Sequence, residues 1–286
     1  MEETLVIGGD NQHAVILLHG LCGTPAELGA IPKALGQFGY TVSALEIPGY
    51  SASQIAPAVA PSWEKWSEAV DDEIGRLYQN HDTVSICGLS IGATLGLVAC
   101  TQRTDVLSMV ALSPMLRYDG WAIGWYTPLL RIAYWLGCRN WQYKERDPYG
   151  IRNVEMRRRV ARALEKDGVA EVGAAAIPAR YLNEANKMMA ALRKSLDQVE
   201  SDLLVVHAID DETTAPRNSQ QILKEVQSGT RKGVWLGDCY HIVTFDNERE
   251  IVTNEAARFI QKAILNHLHD HTYRRLAKRS SLRDRR

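Results

Sequence analysis

A chain of 286 residues with 45% hydrophobic composition is long enough for one large core without staples, which excludes wholesale disorder. The formal net charge is −1, yet the last sixteen residues hold seven basic groups against Asp284 alone; the body is therefore acidic, unlike a nucleic-acid-binding domain, which carries its basic excess on the folded surface. The five cysteines, Cys22, Cys87, Cys100, Cys138 and Cys239, are odd in number and have no close C-x-x-C pairing, so neither a disulfide framework nor a zinc site is indicated and a reducing, cytoplasmic setting is expected.

The N-terminus carries no basic segment followed by a long apolar one, so no leader is expected. No stretch reaches the length of a membrane span, Trp121 to Gly137 coming nearest. Residues 2 to 8 read as a strand, and Gly8 to Gln12 as a turn. Ala14-Val15-Ile16-Leu17-Leu18 is continuously apolar, as a strand covered on both faces requires, and it runs into His19-Gly20-Leu21-Cys22-Gly23. Thr24, Pro25 and Glu27 then predict a helix start, with a hydroxyl at N-cap, proline at N1 and a carboxylate at N3, and a helix continuing towards Gly36 or Gly39 with a bend at Pro32. Tyr40 to Leu45 is the next strand. A helix from about Ser62 places Trp66, Val70, Ile74 and Leu77 on one face.

The short apolar run Val84-Ser85-Ile86-Cys87 then flows into Gly88-Leu89-Ser90-Ile91-Gly92 and a helical segment. A buried strand that ends in Gly-x-Ser-x-Gly before a helix is the setting in which a sharp turn lifts a serine hydroxyl clear of a sheet. Another strand, Leu107 to Leu112, closes at Ser113-Pro114. This alternation predicts an α/β fold with a mostly parallel central sheet and helices on both faces.

The rhythm stops at Pro114. Trp121, Trp125, Leu129 and Tyr134 fall in an aromatic stretch, and the segments 155–166 and 184–199 read as amphipathic helices without a clear buried strand. Residues 115–201 are therefore expected to form an inserted helical cap between two parts of the core, 1–114 and 202–270, with 271–286 as a basic tail. Trp121, Trp125, Leu129 and Tyr134 are the expected substrate-binding residues of that cap, since large flat side chains bury apolar groups at low entropic cost.

The sheet resumes at Leu203 to Ala208, followed by Asp210 and Asp211; a helix opens at Pro216, a strand spans 233 to 236, and His241 follows it. The closing helix carries Ala257, Phe259, Ile260, Ile264 and Leu268, with His267, His269 and His271 near its end as solvated histidines; no acidic or cysteine cluster accompanies them, and neither metal nor cofactor is expected.

A serine hydroxyl attacks a carbonyl only when a base takes its proton. His241 is the candidate base, and the groups that can orient its imidazole are Asp210, Asp211 and, more weakly, Glu212. Three polar groups at the carboxyl ends of parallel strands share one sheet edge, where they can meet. The backbone amides of Leu21 and Ile91 are the candidate donors to a developing oxyanion. His19 is read as a structural loop residue, and Cys22 and Cys239 as small buried groups.

His19 to Pro25, Gly88 to Gly92, His207 to Asp211, and Cys239 to Thr244 with Asp246 together resemble the α/β-hydrolase superfamily, with bacterial carboxylesterases and monoacylglycerol-lipase-like serine hydrolases as the nearest likeness. The resemblance covers about 1–113 and 202–268 and implies Ser90, Asp211 and His241 as catalytic residues with Leu21 and Ile91 at the oxyanion positions. It implies hydrolysis of carboxylic esters with an apolar acyl group, such as a monoacylglycerol or a short-to-medium-chain ester, through an acyl-enzyme. The same groups would serve a thioesterase or acyltransferase, and a homologue that only binds ligand is the non-enzymatic alternative. A small ester or lipid-like molecule is the expected partner, with peripheral membrane contact through the aromatic stretch and basic tail; the sequence leaves oligomeric state open. The segment Ile47-Pro48-Gly49-Tyr50-Ser51 departs from the family in lacking the second glycine common in this loop, and the cap is longer and richer in tryptophan than in small carboxylesterases.

Overall fold

The computed structural model describes residues 5–9, 11–56 and 58–283. Its strands and helices in chain order are β1 (Leu5–Ile7), β2 (His13–Leu18), α1 (Ile31–Gln37), β3 (Thr41–Ala44), α2 (Trp63–Tyr78), β4 (Thr83–Leu89), α3 (Ile91–Gln102) and β5 (Val106–Leu112). Then follow α4 (Thr127–Trp135), β6 (Gln142–Lys144), α5 (Val154–Asp167), β7 (Val169–Ala170), β8 (Gly173–Ala174), β9 (Ala176–Pro178) and α6 (Ala179–Leu192). β10 (Asp202–Ala208), α7 (Arg217–Glu225), β11 (Arg231–Leu236) and α8 (Arg249–Arg283) complete the chain.

One seven-stranded sheet has the order β1-β3-β2-β4-β5-β10-β11. β1 pairs antiparallel with β3 at one edge and the remaining neighbours are parallel. Residues 2–4 of the first expected strand lie outside the described residues.

The continuous apolar runs are explained by burial on both faces. In β2, Ala14, Ile16 and Leu18 enter one core and Val15 and Leu17 the other; β10 divides in the same way, with Leu203 and Val205 opposite Leu204 and Val206. The first core is closed by α2, α3 and α6, and the second by α1 and α8. Trp66, fully buried on α2, meets the Tyr50 ring edge-on at 5.1 Å and stacks with Tyr181 of α6 at 6.4 Å.

Three expectations are corrected. The helix start at Thr24 is a short 3₁₀ turn, Pro25–Leu28, broken at Gly29 before α1 begins. Thr24 does not cap it: its hydroxyl reaches across to donate to the Glu171 carbonyl, and the Glu27 side chain turns inwards. The inserted region is not wholly helical, because β6 pairs with β9 and β7 with β8 as short antiparallel ribbons. Its last helix, α6, buries Tyr181, Ala185, Met188, Met189 and Leu192 against the core beside α2 and α3, so it packs as part of the main helical layer. A helix whose apolar stripe meets the sheet's own helices lowers its free energy by covering them, whatever its position in an insertion.

A smaller cluster of Ile151, Val160 and Ala170 packs α5 and its flanking segments on Ile242 and Phe245. α8 runs on past Leu268 to Arg283. The basic side chains assigned to the tail, 271–286, and that of His271 lie outside the described side chains.

The placement of α6 is testable. Met189→Ala should destabilise the whole fold by about 2–5 kcal/mol, as for large-to-small changes in a packed core. A urea midpoint unchanged from wild type would show instead that α6 is not part of this core.

Candidate active site

The end of β4 and the start of α3 set the position of Ser90. Its backbone stands at φ 58°, ψ −122°, a conformation that costs on the order of 1–3 kcal/mol for a residue with a side chain. The turn is held because Ser90 N–H donates to the Leu112 carbonyl of β5 at 2.8 Å, and because Gly92 lies directly on β2, where a Cβ would stand 2.3 Å from the His19 carbonyl oxygen. The Ser90 hydroxyl is consequently presented at the carboxyl edge of the sheet.

Two later loops bring their groups to the same edge. His241 Nε2 lies 2.8 Å from Ser90 Oγ, and His241 Nδ1 lies 2.8 Å from Asp211 Oδ2. Asp211 is fixed in turn by the N–H groups of Thr213 and Thr214, which both donate to its Oδ1 at 2.8 Å. Asp210, the adjacent alternative, points outwards and pairs with Arg152 at 2.8 Å. Glu212 is buried; its Oε2 accepts the His241 backbone N–H at 3.1 Å. Of the three carboxylates open from the sequence, Asp211 is therefore the one on the imidazole.

Electrostatics follow from this burial. Burial alone raises the Asp211 carboxyl, but the charge of His241 and the hydrogen bond to it hold the group below its ordinary value. Burial opposes a charged His241, yet Asp211 first, then Glu212 and Glu145, outweigh it and push the imidazole up to about 9. The site stabilises an imidazolium, the form that exists once the serine proton has been taken. Burial raises Glu145 to about 7, with Glu212 adding to the shift.

The backbone amides expected at Leu21 and Ile91 belong to the loops that flank Ser90. Leu21 lies in the turn closed by Gly23 N–H donating to the Gly20 carbonyl, and Ile91 is the first residue of α3. His19 is structural: its two ring nitrogens contact Ser51 Oγ and the Gly20 carbonyl, both at 2.9 Å, and burial lowers it to about 4. Cys22, Cys87, Cys100 and Cys239 are buried, and burial raises each thiol, so none is a ready thiolate.

Several contributors were not singled out in the sequence. Met115 Sδ lies 3.3 Å from Ser90 Oγ. His207 donates through Nε2 to the Thr214 carbonyl at 2.9 Å and accepts the Ser219 hydroxyl at Nδ1, bracing the Asp211 loop. Asp246, fully buried, takes the N–H groups of Asn153 and Asn247 on one oxygen and of Arg152 and Tyr240 on the other, at 2.7–2.9 Å. Asp246 thereby ties the insertion to the loop bearing His241. His207 and Asp246 both stand in the motifs that carried the resemblance, but nothing in their spacing tells which donors they meet.

The four aromatic and apolar residues expected to bind substrate are not drawn together over Ser90. Trp121 is 61% and Trp125 86% exposed, and Leu129 is also exposed. Trp121 donates its indole N–H to the Asp210 carbonyl and meets the Tyr240 ring edge-on, close to the His241 loop. Trp125 borders a cavity of about 750 Å³ with Leu116, Tyr118 and Ile123, and Tyr134 lines a separate one of about 710 Å³ with Ile132 and Trp135. Among the described residues no helix is long and apolar enough to cross a membrane, and no group of three metal-ligating side chains occurs.

The family model Hydrolase_4, described as serine aminopeptidase S33, matches residues 9–248. The chain is 22% identical over 248 residues to a thermostable monoacylglycerol lipase of Bacillus sp. (strain H-257), covering 87% of this chain and 90% of that one. It is 23% identical over 258 residues to a carboxylesterase of Bacillus subtilis (strain 168), with 89% and 94% covered. The crystal structure of a monoacylglycerol lipase from Paleococcus ferrophilus superimposes with a TM-score of 0.76 at 18% identity, covering 92% of this chain and all of that one.

The geometry separates the two aspartates experimentally. Asp211→Asn should lower kcat for an ester by roughly 10⁴-fold, because the amide no longer fixes the imidazole tautomer. Asp210→Asn should change kcat by less than about threefold, the range of an exposed ion pair. The reverse order would assign the acid to Asp210.

Proposed function

Because the chain belongs to the serine aminopeptidase S33 hydrolase family, and because a serine hydroxyl, an imidazole and a buried carboxylate lie in one hydrogen-bonded line, we propose that it hydrolyses carboxylic esters through an acyl-serine intermediate. The observation that carries this reading is the pair of 2.8 Å contacts made by His241, to Ser90 on one nitrogen and to Asp211 on the other.

In the first step Ser90 Oγ bonds to the acyl carbon while its proton passes to His241 Nε2. The carbonyl oxygen becomes an oxyanion and takes the N–H groups of Leu21 and Ile91. Collapse breaks the carbon–oxygen bond to the alcohol, which leaves with the proton from His241. A water then gives a proton to His241, attacks the acyl-serine, and releases the acid and the free Ser90 hydroxyl. Asp211 stabilises the imidazolium in both halves without itself becoming protonated.

The substrate class is an ester with an apolar acyl group, such as a monoacylglycerol or a short-to-medium-chain ester. Support comes from the names of the relatives, a monoacylglycerol lipase and a carboxylesterase, and from the aromatic insertion beside the site. Trp121, Trp125, Leu129 and Tyr134 serve that substrate at the outer face of the insertion. The exposed side chains of Trp125, Leu129, Ile132 and Trp135 also suit peripheral contact with a lipid surface, where aromatic rings rest between headgroup and acyl layers. The protein acts in the cytoplasm on this reading, in keeping with its free cysteines.

Intact mass after exposure to a fluorophosphonate, followed by turnover of a p-nitrophenyl ester series from C2 to C16 and a matched acyl thioester, tests the proposal. One adduct on Ser90, none on Ser90→Ala, and a chain-length optimum among the oxygen esters are expected. A folded wild-type protein that neither labels nor turns over would overturn the reading, and faster turnover of the thioester would move it to a thioesterase. Sedimentation with anionic and zwitterionic liposomes should carry the protein down, and Trp125→Ala with Trp135→Ala should release it. Wild type remaining in the supernatant would remove the membrane contact.

A further inference from the structure

Glu27 is a charged residue type that the reaction as written does not use, and it is 3% exposed. Its sequence position predicted a helix-capping role, but the structure turns it towards the loop that precedes the serine. Glu27 Oε2 accepts the Gly20 N–H at 2.7 Å. A Cβ placed on Gly20 would stand 3.0 Å from that oxygen and 3.7 Å from Ser90 Cβ, so Gly20 is a thin spacer between the carboxyl group and the nucleophile. The other oxygen, Oε1, lies against Gly23, where a Cβ would approach within 2.2 Å.

Glu27 and the 19–23 loop it bonds to are held from three directions. Thr244, three residues after His241, donates its hydroxyl to the Glu27 carbonyl at 2.5 Å. The insertion reaches the loop through Ala174 N–H, which donates to the Cys22 carbonyl at 3.0 Å. From the third side Tyr50 donates its hydroxyl to the His19 carbonyl at 3.1 Å. Glu27 therefore sits where the Gly20–Gly23 turn, the His241 loop and the insertion meet.

Resting on the ester-hydrolysis reading, we infer that Glu27 is a positioning residue for the oxyanion loop: by accepting the Gly20 N–H it fixes the peptide that aims Leu21 N–H at the oxygen gaining charge during attack. A donor fixed before the reaction needs no reorganisation as charge develops, which is where such groups exert most of their effect. Burial is the main cause that raises the Glu27 carboxyl to about 8; the Gly20 hydrogen bond and the charge of His241 oppose it, and Glu145 adds to it. The other titratable groups facing it are Cys22 and Tyr50, both held neutral by burial. At pH 7 the group is thus mainly a neutral acid, still an acceptor for Gly20. Above pH 8 it ionises and places a negative charge behind the oxyanion, opposing the reaction.

Wild type, Glu27→Gln and Glu27→Ala are compared in kcat and KM for the best p-nitrophenyl ester from pH 6.5 to 9.5, with far-ultraviolet circular dichroism and thermal melting alongside. At pH 7, E27Q should stay within about threefold of wild type, since its amide oxygen still accepts the Gly20 N–H, while E27A should lose roughly 10²-fold in kcat with KM nearly unchanged. The ratio of E27Q to wild-type kcat should rise several-fold as pH passes through about 8, because only wild type gains the charge; the E27Q profile, in which the Glu27 charge is absent, gives the titration of His241 on its own. E27A folded and as active as wild type, or a ratio flat with pH, would overturn the inference while leaving ester hydrolysis standing. Should E27A fail to fold, the E27Q ratio alone decides. A folded wild type without esterase activity would remove both the inference and the reading beneath it.

Discussion

Everything functional in this molecule depends on one backbone conformation, the left-handed turn at Ser90. A residue with a side chain is placed there against its own preference, and the surroundings must supply what it forgoes. They do so with the Ser90 N–H bond to β5 and with the seating of α3 directly on β2 at Gly92. The strain is local, but the structure that opposes it is the centre of the sheet, the pairings of β4 with β2 and β5. A parallel sheet buried on both faces is rigid enough to hold a hydroxyl in place while two loops converge on it.

Around that point the protein gathers buried carboxyl groups that differ in role because their neighbours differ. Asp211 receives two backbone N–H groups and an imidazole and is held ionised. Asp246 receives four N–H groups and acts as a knot between the insertion and the His241 loop. Glu27 receives one N–H, and burial raises it most. At Asp211 the charge and hydrogen bond of His241 outweigh burial, whereas at Glu27 burial outweighs the single Gly20 bond. The field at His241 is set by Asp211, with Glu212 and Glu145 behind it, and favours the imidazolium.

The insertion has two parts of different character. α6 completes the core beside α2 and α3, whereas α4 carries Leu129, Ile132 and Trp135 at the surface. One part is fixed by the same packing that stabilises the sheet. The other presents apolar area that water does not favour, and its rim, through Trp121 and Tyr240, reaches the loop bearing His241. Coupling between an apolar surface and a reacting loop is a physical basis for a lipid-like substrate arriving from that side.

The sequence by itself determined the alternation of strands and helices, the parallel sheet and the order of serine, acid and histidine. Each is written in local pattern: apolar runs of strand length, glycines flanking Ser90, and polar residues just after strand ends. Residue pattern left Asp210, Asp211 and Glu212 open and only the family resemblance implied Asp211, because three adjacent carboxylates differ only in where a turn points them, and that direction is set by the N–H groups of Thr213 and Thr214, with His207 bracing the same turn. It also misplaced Glu27 and α6. A carboxylate three residues after a threonine satisfies a capping pattern, yet the donor it meets in space is Gly20 N–H, brought there by the turn after β2. An amphipathic helix within an insertion reads as part of a lid until its apolar face is seen against α2 and α3. Periodicity and strand ends are local and survive in the chain; the partner of a buried polar group is chosen by elements far apart in sequence, so only the tertiary structure decided it.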